Sequence, residues 1–129
     1  MAAVTKSSKP DIETRSAMTA VKVQGLLSGD SFAFLAPVYI DSTGVVKAAV
    51  EDSTAALYDG FATEASDSAF GTPVGILAKG AILEWIDAAD SILPGTLLYV
   101  DSLGGLATDS QTLPPVAKTI TATKIIVLE

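Results

Sequence analysis

From Val21 onward the apolar residues come in short runs separated by clusters of Gly, Pro, Asp and Ser. Runs of strand length with that punctuation predict β-strands joined by tight turns. The pattern places candidate strands at Val21–Leu27, Ser31–Phe34, Pro37–Ile40, Val45–Val50, Gly60–Ala65, Thr72–Ile76, Ala81–Trp85, Thr96–Val100, Gly105–Ala107, Val116–Thr119 and Lys124–Leu128. A helical reading is confined to Asp52–Tyr58, where Asp52 or Ser53 can cap a turn of Thr-Ala-Ala-Leu, and to one turn through Ile86–Ser91. Ten glycines and six prolines are spread too evenly for any long helix. The expected fold is all-β: a small β-barrel or β-tulip-like domain of short strands and hairpins.

Two stretches match at an offset of 60 residues. Val38-Tyr39-Ile40-Asp41-Ser42-Thr43-Gly44-Val45-Val46 aligns with Leu98-Tyr99-Val100-Asp101-Ser102-Leu103-Gly104-Gly105-Leu106. In each, an apolar strand ends in Asp-Ser-x-Gly and a second apolar strand follows. Asp41 and Asp101 stand where a carboxylate bonds the turn backbone, and Gly44 and Gly104 where a positive φ closes it. Gly in fourth place fits a type I turn with a bulge. Pro37 and Pro94 precede the units, at strand entries that need no amide donor. Either these are equivalent hairpins of a duplicated barrel, or turn chemistry has converged on one solution.

At 129 residues there is chain for one domain. Its composition is 49% hydrophobic and 18% charged, with no cysteine and no histidine. The first absence excludes disulfides, thiol nucleophiles and thiolate metal sites, and the second excludes imidazole ligands and Ser-His-Asp triads. No stretch approaches the roughly 18 apolar residues of a spanning helix, and the start lacks a signal-peptide layout. The expectation is a soluble product made in a cytosol, with no membrane partner.

The net charge of −7 is unevenly placed. Residues 1–22 carry four basic and two acidic side chains, a net of +2; the remainder carries four basic and thirteen acidic, a net of −9. An acidic body argues against nucleic acid as a partner. The Ser/Thr-rich opening lacks apolar residues to pack by itself, so residues 1–22 are expected to be a flexible N-terminal arm and residues 23–129 a single β domain.

Carboxylates are the candidates for chemistry, with Glu84 beside Trp85 and near Asp87 and Asp90, and with the pair Glu51-Asp52. Acids at strand ends and turns are ordinarily solvated or capping groups. The two Asp-Ser-x-Gly turns supply one acid each, too few for a calcium loop. Gly71-Thr72-Pro73-Val74-Gly75 lacks the Lys-Ser/Thr ending of a phosphate loop. None of Lys47, Lys79, Lys118 and Lys124 sits at the tip of a clear hairpin, as a lipoyl or biotin carrier requires. No catalytic, metal or cofactor site is expected. Leu26-Leu27, Phe32, Phe34, Leu35, Phe61, Phe70 and Ile125-Ile126 exceed the needs of a narrow two-sheet core, which points to association.

The order of motifs resembles the small capsid decoration, or cement, proteins of tailed bacteriophages. The residues that carry the resemblance begin with Gly29-Asp30, Ala36-Pro37-Val38-Tyr39-Ile40-Asp41-Ser42 and Val45-Val46-Lys47-Ala48. They continue through Gly60-Phe61-Ala62, Thr72-Pro73-Val74-Gly75-Ile76-Leu77-Ala78 and Gly80-Ala81-Ile82-Leu83. Pro94-Gly95-Thr96-Leu97-Leu98-Tyr99-Val100-Asp101 and Gly104-Gly105-Leu106-Ala107-Thr108 complete the set. Lambda-type head decoration proteins show a similar order, and this chain departs from them by adding a second hairpin unit.

The resemblance implies a non-enzymatic protein on the outer capsid surface of a virion, made in the host cytoplasm. It implies a homotrimer whose N-terminal arms dock on the major capsid protein and brace the head against DNA pressure. By position and charge, the arm residues are Lys6, Lys9, Pro10, Ile12 and Arg15. The alternative is a carbohydrate-binding or adhesive β module with Trp85 and Tyr39 or Tyr99 as stacking platforms. A carboxylate-only enzyme would rest on Glu84.

Overall fold

The computed structural model describes residues 3–13, 21–49, 57–66, 72–101, 104–109 and 113–128. Among these the chain is all-β apart from a short 3-10 helix at Ala88–Asp90. In chain order the strands are β1 (Lys6–Ile12), β2 (Val21–Leu27), β3 (Pro37–Ile40), β4 (Val46–Ala48), β5 (Gly60–Ala62) and β6 (Pro73–Leu77). They continue as β7 (Ile82–Ile86), β8 (Leu97–Val100), β9 (Leu106–Ala107), β10 (Ala117–Thr119) and β11 (Lys124–Val127). One sheet has the order β2-β6-β5-β3-β4 and the other β1-β7-β11-β10-β8-β9, with neighbouring strands antiparallel.

The two sheets are one unit built twice. Reading β7, β8, β9, β10 and β11 for β2, β3, β4, β5 and β6 turns the first strand order into the second, with β1 left over. The register repeats as well. Pro37 and Val38 face Phe61 and Gly60, as Leu97 and Leu98 face Lys118 and Ala117. Asp59 N–H donates to the Val38 carbonyl and Val116 N–H to the Leu98 carbonyl, both at 2.8 Å. The paired hairpins close alike: Asp41 N–H bonds Val45 O, Asp101 N–H bonds Gly105 O, both at 3.0 Å, and Gly44 and Gly104 take φ of 86° and 82°. Of the two sources for the 60-residue match, the duplicated barrel accounts for all of this. The repeat extends beyond the hairpin, because Leu35 (φ 59°) stands where Gly95 (φ 87°) stands in the second unit.

Each sheet curls until its edges are tied. In the first, the chain leaving β2 reaches β4 directly: Ser28 bridges Val46 in parallel, and Gly29 N–H donates to Val46 O at 2.8 Å. In the second, the 3-10 helix stands where that continuation would run, and the N-terminal segment joins β7 to β9 instead.

There are two cores. Phe32, Ala36, Val38, Val46, Ala62, Val74 and Ile76 fill the first unit. Leu83, Leu98, Val100, Leu106 and Ile125 lie in a second cluster with Trp85, which Leu35, Ala49, Phe61 and Leu77 enter from the first unit. The first sheet is therefore apolar on both faces where it meets the second unit. That is why β5 and β6 read as unbroken apolar runs rather than alternating ones. Phe32, Leu35, Phe61 and Ile125 are buried in these cores, whereas Leu27 is half exposed; Phe70 lies outside the described residues.

Ten of the eleven candidate strands overlap an observed one. The exception is Ser31–Phe34, which makes only a bridge from Phe32 to Ser66 and then turns, with Ala36 N–H bonded to Ala33 O at 3.1 Å. The turn is needed because the chain must reverse to enter β3, and Leu35 takes a left-handed conformation to do so. That conformation costs a non-glycine residue about 1–2 kcal/mol. The turn expected at Ile86–Ser91 is the 3-10 helix, capped by Asp87. The helix expected at Asp52–Tyr58 falls mainly on residues outside those described, and residues 57–59 have no regular structure.

A Cβ at Gly60 would collide with the Ile76 side chain and the Leu77 carbonyl oxygen, whereas one at Gly44 would meet nothing. Gly60→Ala is expected to lower the unfolding free energy by about 1–3 kcal/mol through forced strand separation. Gly44→Ala should cost about 1 kcal/mol, from its positive φ alone. Urea unfolding of the two variants checks the order.

Candidate functional site

The segment expected to be an arm is the least conventional part of the fold. Residues 3–13 lie along the second unit as a strap. Ala3 bridges Ala107, and Val4 N–H donates to Leu106 O at 2.9 Å, which covers the edge of β9. Thr5 O accepts from Asp87 N–H at 2.9 Å, and Thr5 N–H donates to the Asp90 carboxylate at 2.6 Å. The strap then becomes β1 on the edge of β7, with Lys6 opposite Ile86, Asp11 opposite Glu84 and Ile12 opposite Leu83. Glu13 N–H closes the run on Ile82 O at 2.9 Å.

The side chains that hold the strap are few. Val4 is buried in the second core, while none of Lys6–Ile12 is fully buried. Lys6 lays its stem across the molecule, donates from Nζ to the Phe34 carbonyl, and sits 5.6 Å from the centre of the Trp85 ring. Trp85 Nε1–H in turn donates to the Leu35 carbonyl at 2.8 Å. Strap, β7 and the first unit's turn at residues 33–36 thus meet at one point. Burial pushes the Lys6 ammonium down from 10.5 to about 8.

The expected arm residues separate on this frame. Lys6 is the anchor, Lys9 is exposed on the strand, and Pro10 and Ile12 are half-buried. Pro10 is tolerated because β1 is the outer strand of its sheet. Arg15 lies outside the described residues. Val4, Thr5, Asp90 and the Trp85–Leu35 contact were not singled out for this role. Val4 and Ile12 are the two large apolar residues of residues 3–13, and they are the local sign that the stretch packs.

The other candidate groups among the described residues sit in structural contacts, and Glu51 and Asp52 lie outside the described residues. Asp87 accepts from Ala89 N–H at 3.0 Å as the helix cap, and Asp90 holds Thr5. Glu84 faces Lys124 directly across the β7–β11 pair and shares a shallow charged groove with Lys9, Asp11 and Glu13. Asp41 accepts from Thr43 N–H (2.8 Å), Thr43 Oγ1–H (2.7 Å) and Val45 N–H (3.3 Å), and pairs with Lys47 at 3.2 Å. Those contacts, led by the Thr43 hydroxyl, hold its carboxyl well below the usual range. Asp101 accepts from Gly105 N–H at 2.8 Å in the matching place. Trp85 is 2% exposed, so it is not a surface on which a sugar ring stacks. Among the described residues no group of three or more metal-ligating side chains occurs. The strap itself is held mainly by backbone bonds along the edges of β7 and β9.

No family model, curated protein or solved structure matches the chain.

The lowered pKa of Lys6 has a definite sign. Between about 8 and 10.5 the docked strap binds fewer protons than the released one, so docking gains stability as pH rises through that window. Urea midpoints of the native chain are expected to rise from pH 8 to pH 10 relative to those of Lys6→Met. A constant difference between the two would show that Lys6 keeps an ordinary pKa.

Proposed function

We propose that this chain is a non-enzymatic head decoration, or cement, protein of a tailed bacteriophage. In this reading it binds the outer surface of the expanded capsid, contacts the major capsid protein, and stabilises the shell against DNA pressure as a homotrimer. The observation that carries the reading is the N-terminal segment, an outer strand held mainly by backbone bonds on an acidic all-β body. The order of strand and turn motifs along the chain supports it.

Strand addition explains how such a segment would work. A shell protein with an open edge offers backbone donors and acceptors in a row, and an extended segment satisfies them with little demand on side chains. Lys9, exposed on β1, adds attraction to an acidic shell surface. One such contact is weak. Several arms on one oligomer bind together, and avidity exceeds the single affinity by about 10²–10⁴.

Purified protein is expected to bind expanded, undecorated heads, and removal of residues 1–20 should weaken binding by about two orders of magnitude or more. Co-sedimentation with heads measures both. Absence of head binding by the full chain would end this reading. Unchanged binding after the deletion would remove the arm from it.

A further inference from the structure

The internal repeat isolates one feature with no counterpart. In the first unit the edges of β2 and β4 are tied by Ser28 and Gly29, which are continuous with β2 and cannot leave it. In the second unit the equivalent edges, β7 and β9, are tied by a separate piece of chain, residues 3–13. The unit is completed by insertion of a strand, and the slot holds that strand through backbone atoms, the buried Val4, the half-buried Ile12 and Lys6.

We propose that the slot between β7 and β9 is a strand-acceptor site, and that residues 3–13 of a second copy of this chain fill it, linking copies by strand exchange. The occupant is specified by the slot itself, because its side-chain contacts are made with Val4, Lys6 and Ile12 and its backbone pairs match this strand's register. A second copy carries the same residues and makes the same contacts. Strand and body are joined through residues 14–20, a length of chain that reaches at most about 25 Å, and that connection alone distinguishes the chain's own strand from a neighbour's. Exchange conserves every pair within the slot, so its free energy is set by the connection and by concentration.

Two features make the strand releasable. No side chain from Lys6 to Ile12 is fully buried, and Ile12 is the one apolar side chain of β1 that packs on the second core, so lifting β1 uncovers a limited apolar surface. The β1–β7 register also slips between Lys6 and Asp11, which interrupts the ladder in the middle of the strand. Local opening draws on elements of this kind, with few buried contacts and an interrupted ladder. Exchange describes the protein free of a shell, since a strand that fills a neighbour's slot is not available to a shell edge.

The test uses the absence of cysteine from the native chain. Ala3 and Ala107 are directly bridged, so a strand that enters a neighbour's slot holds Ala3→Cys of one chain against Ala107→Cys of another and favours that disulfide over the like-with-like ones that random collision also gives. The two full-length variants are mixed, one of them isotopically labelled, concentrated, and oxidised under mild conditions. Intact mass then reports mixed dimers against like-with-like dimers. The double variant Ala3→Cys/Ala107→Cys is oxidised when dilute, as a control for folding and geometry. Strand exchange predicts that the mixed dimer is at least about tenfold in excess of either like dimer and increases with protein concentration. Intrachain closure of the double variant with no excess of mixed dimer would overturn the proposal. So would failure of both to link, since the strand would then not occupy the slot.

Discussion

An open β-sheet leaves a row of unpaired amides and carbonyls at each edge, and the architecture follows from how this chain deals with four such rows. The first unit curls until the continuation of β2 meets β4. The second cannot do so, because the chain leaving β7 turns into a 3-10 helix capped by Asp87. Its gap is filled by the N-terminal strap, with Thr5 bonded to that same helix through Asp87 and Asp90. Local structure in one loop therefore creates the demand that a distant segment meets.

The two units share a backbone plan but not an environment. Phe61 in the first unit is buried against the second, whereas Lys118, its counterpart in register, is exposed. Leu35 holds a backbone conformation suited to glycine because its side chain fills the second core and its carbonyl accepts the Trp85 N–H. In the second unit the matching turn is exposed at Gly95, and glycine adopts the same φ without strain. Burial on one side of the pseudo-repeat, and its absence on the other, explains why these sequences match clearly only at the hairpins.

The strap combines structural and electrostatic demands that pull apart. Its edge must be paired for the second unit to close, yet the residue that anchors it is a lysine that resists burial. The ring of Trp85 and the Phe34 carbonyl compensate for lost hydration, with no carboxylate partner among the described residues. Such an anchor holds the strand in register while leaving its docking sensitive to pH.

Period, punctuation and turn chemistry were enough to determine the all-β class, ten strand positions, both Asp-x-x-Gly hairpins and a helical turn after β7, though not its Asp87 cap. These depend on neighbours in sequence: Asp41 bonds Thr43 and Val45, and Gly44 needs only its own φ. The sequence also marked Lys6, Lys9, Pro10 and Ile12 as one segment, but read that segment as too polar to pack. Only the tertiary structure decided its place, because β1 is held by backbone groups that every residue carries, aimed at edges more than seventy residues away. The same holds for Leu35. Its turn resembles a strand locally, and the left-handed conformation is repaid by Trp85 and a core that come from the other half of the chain.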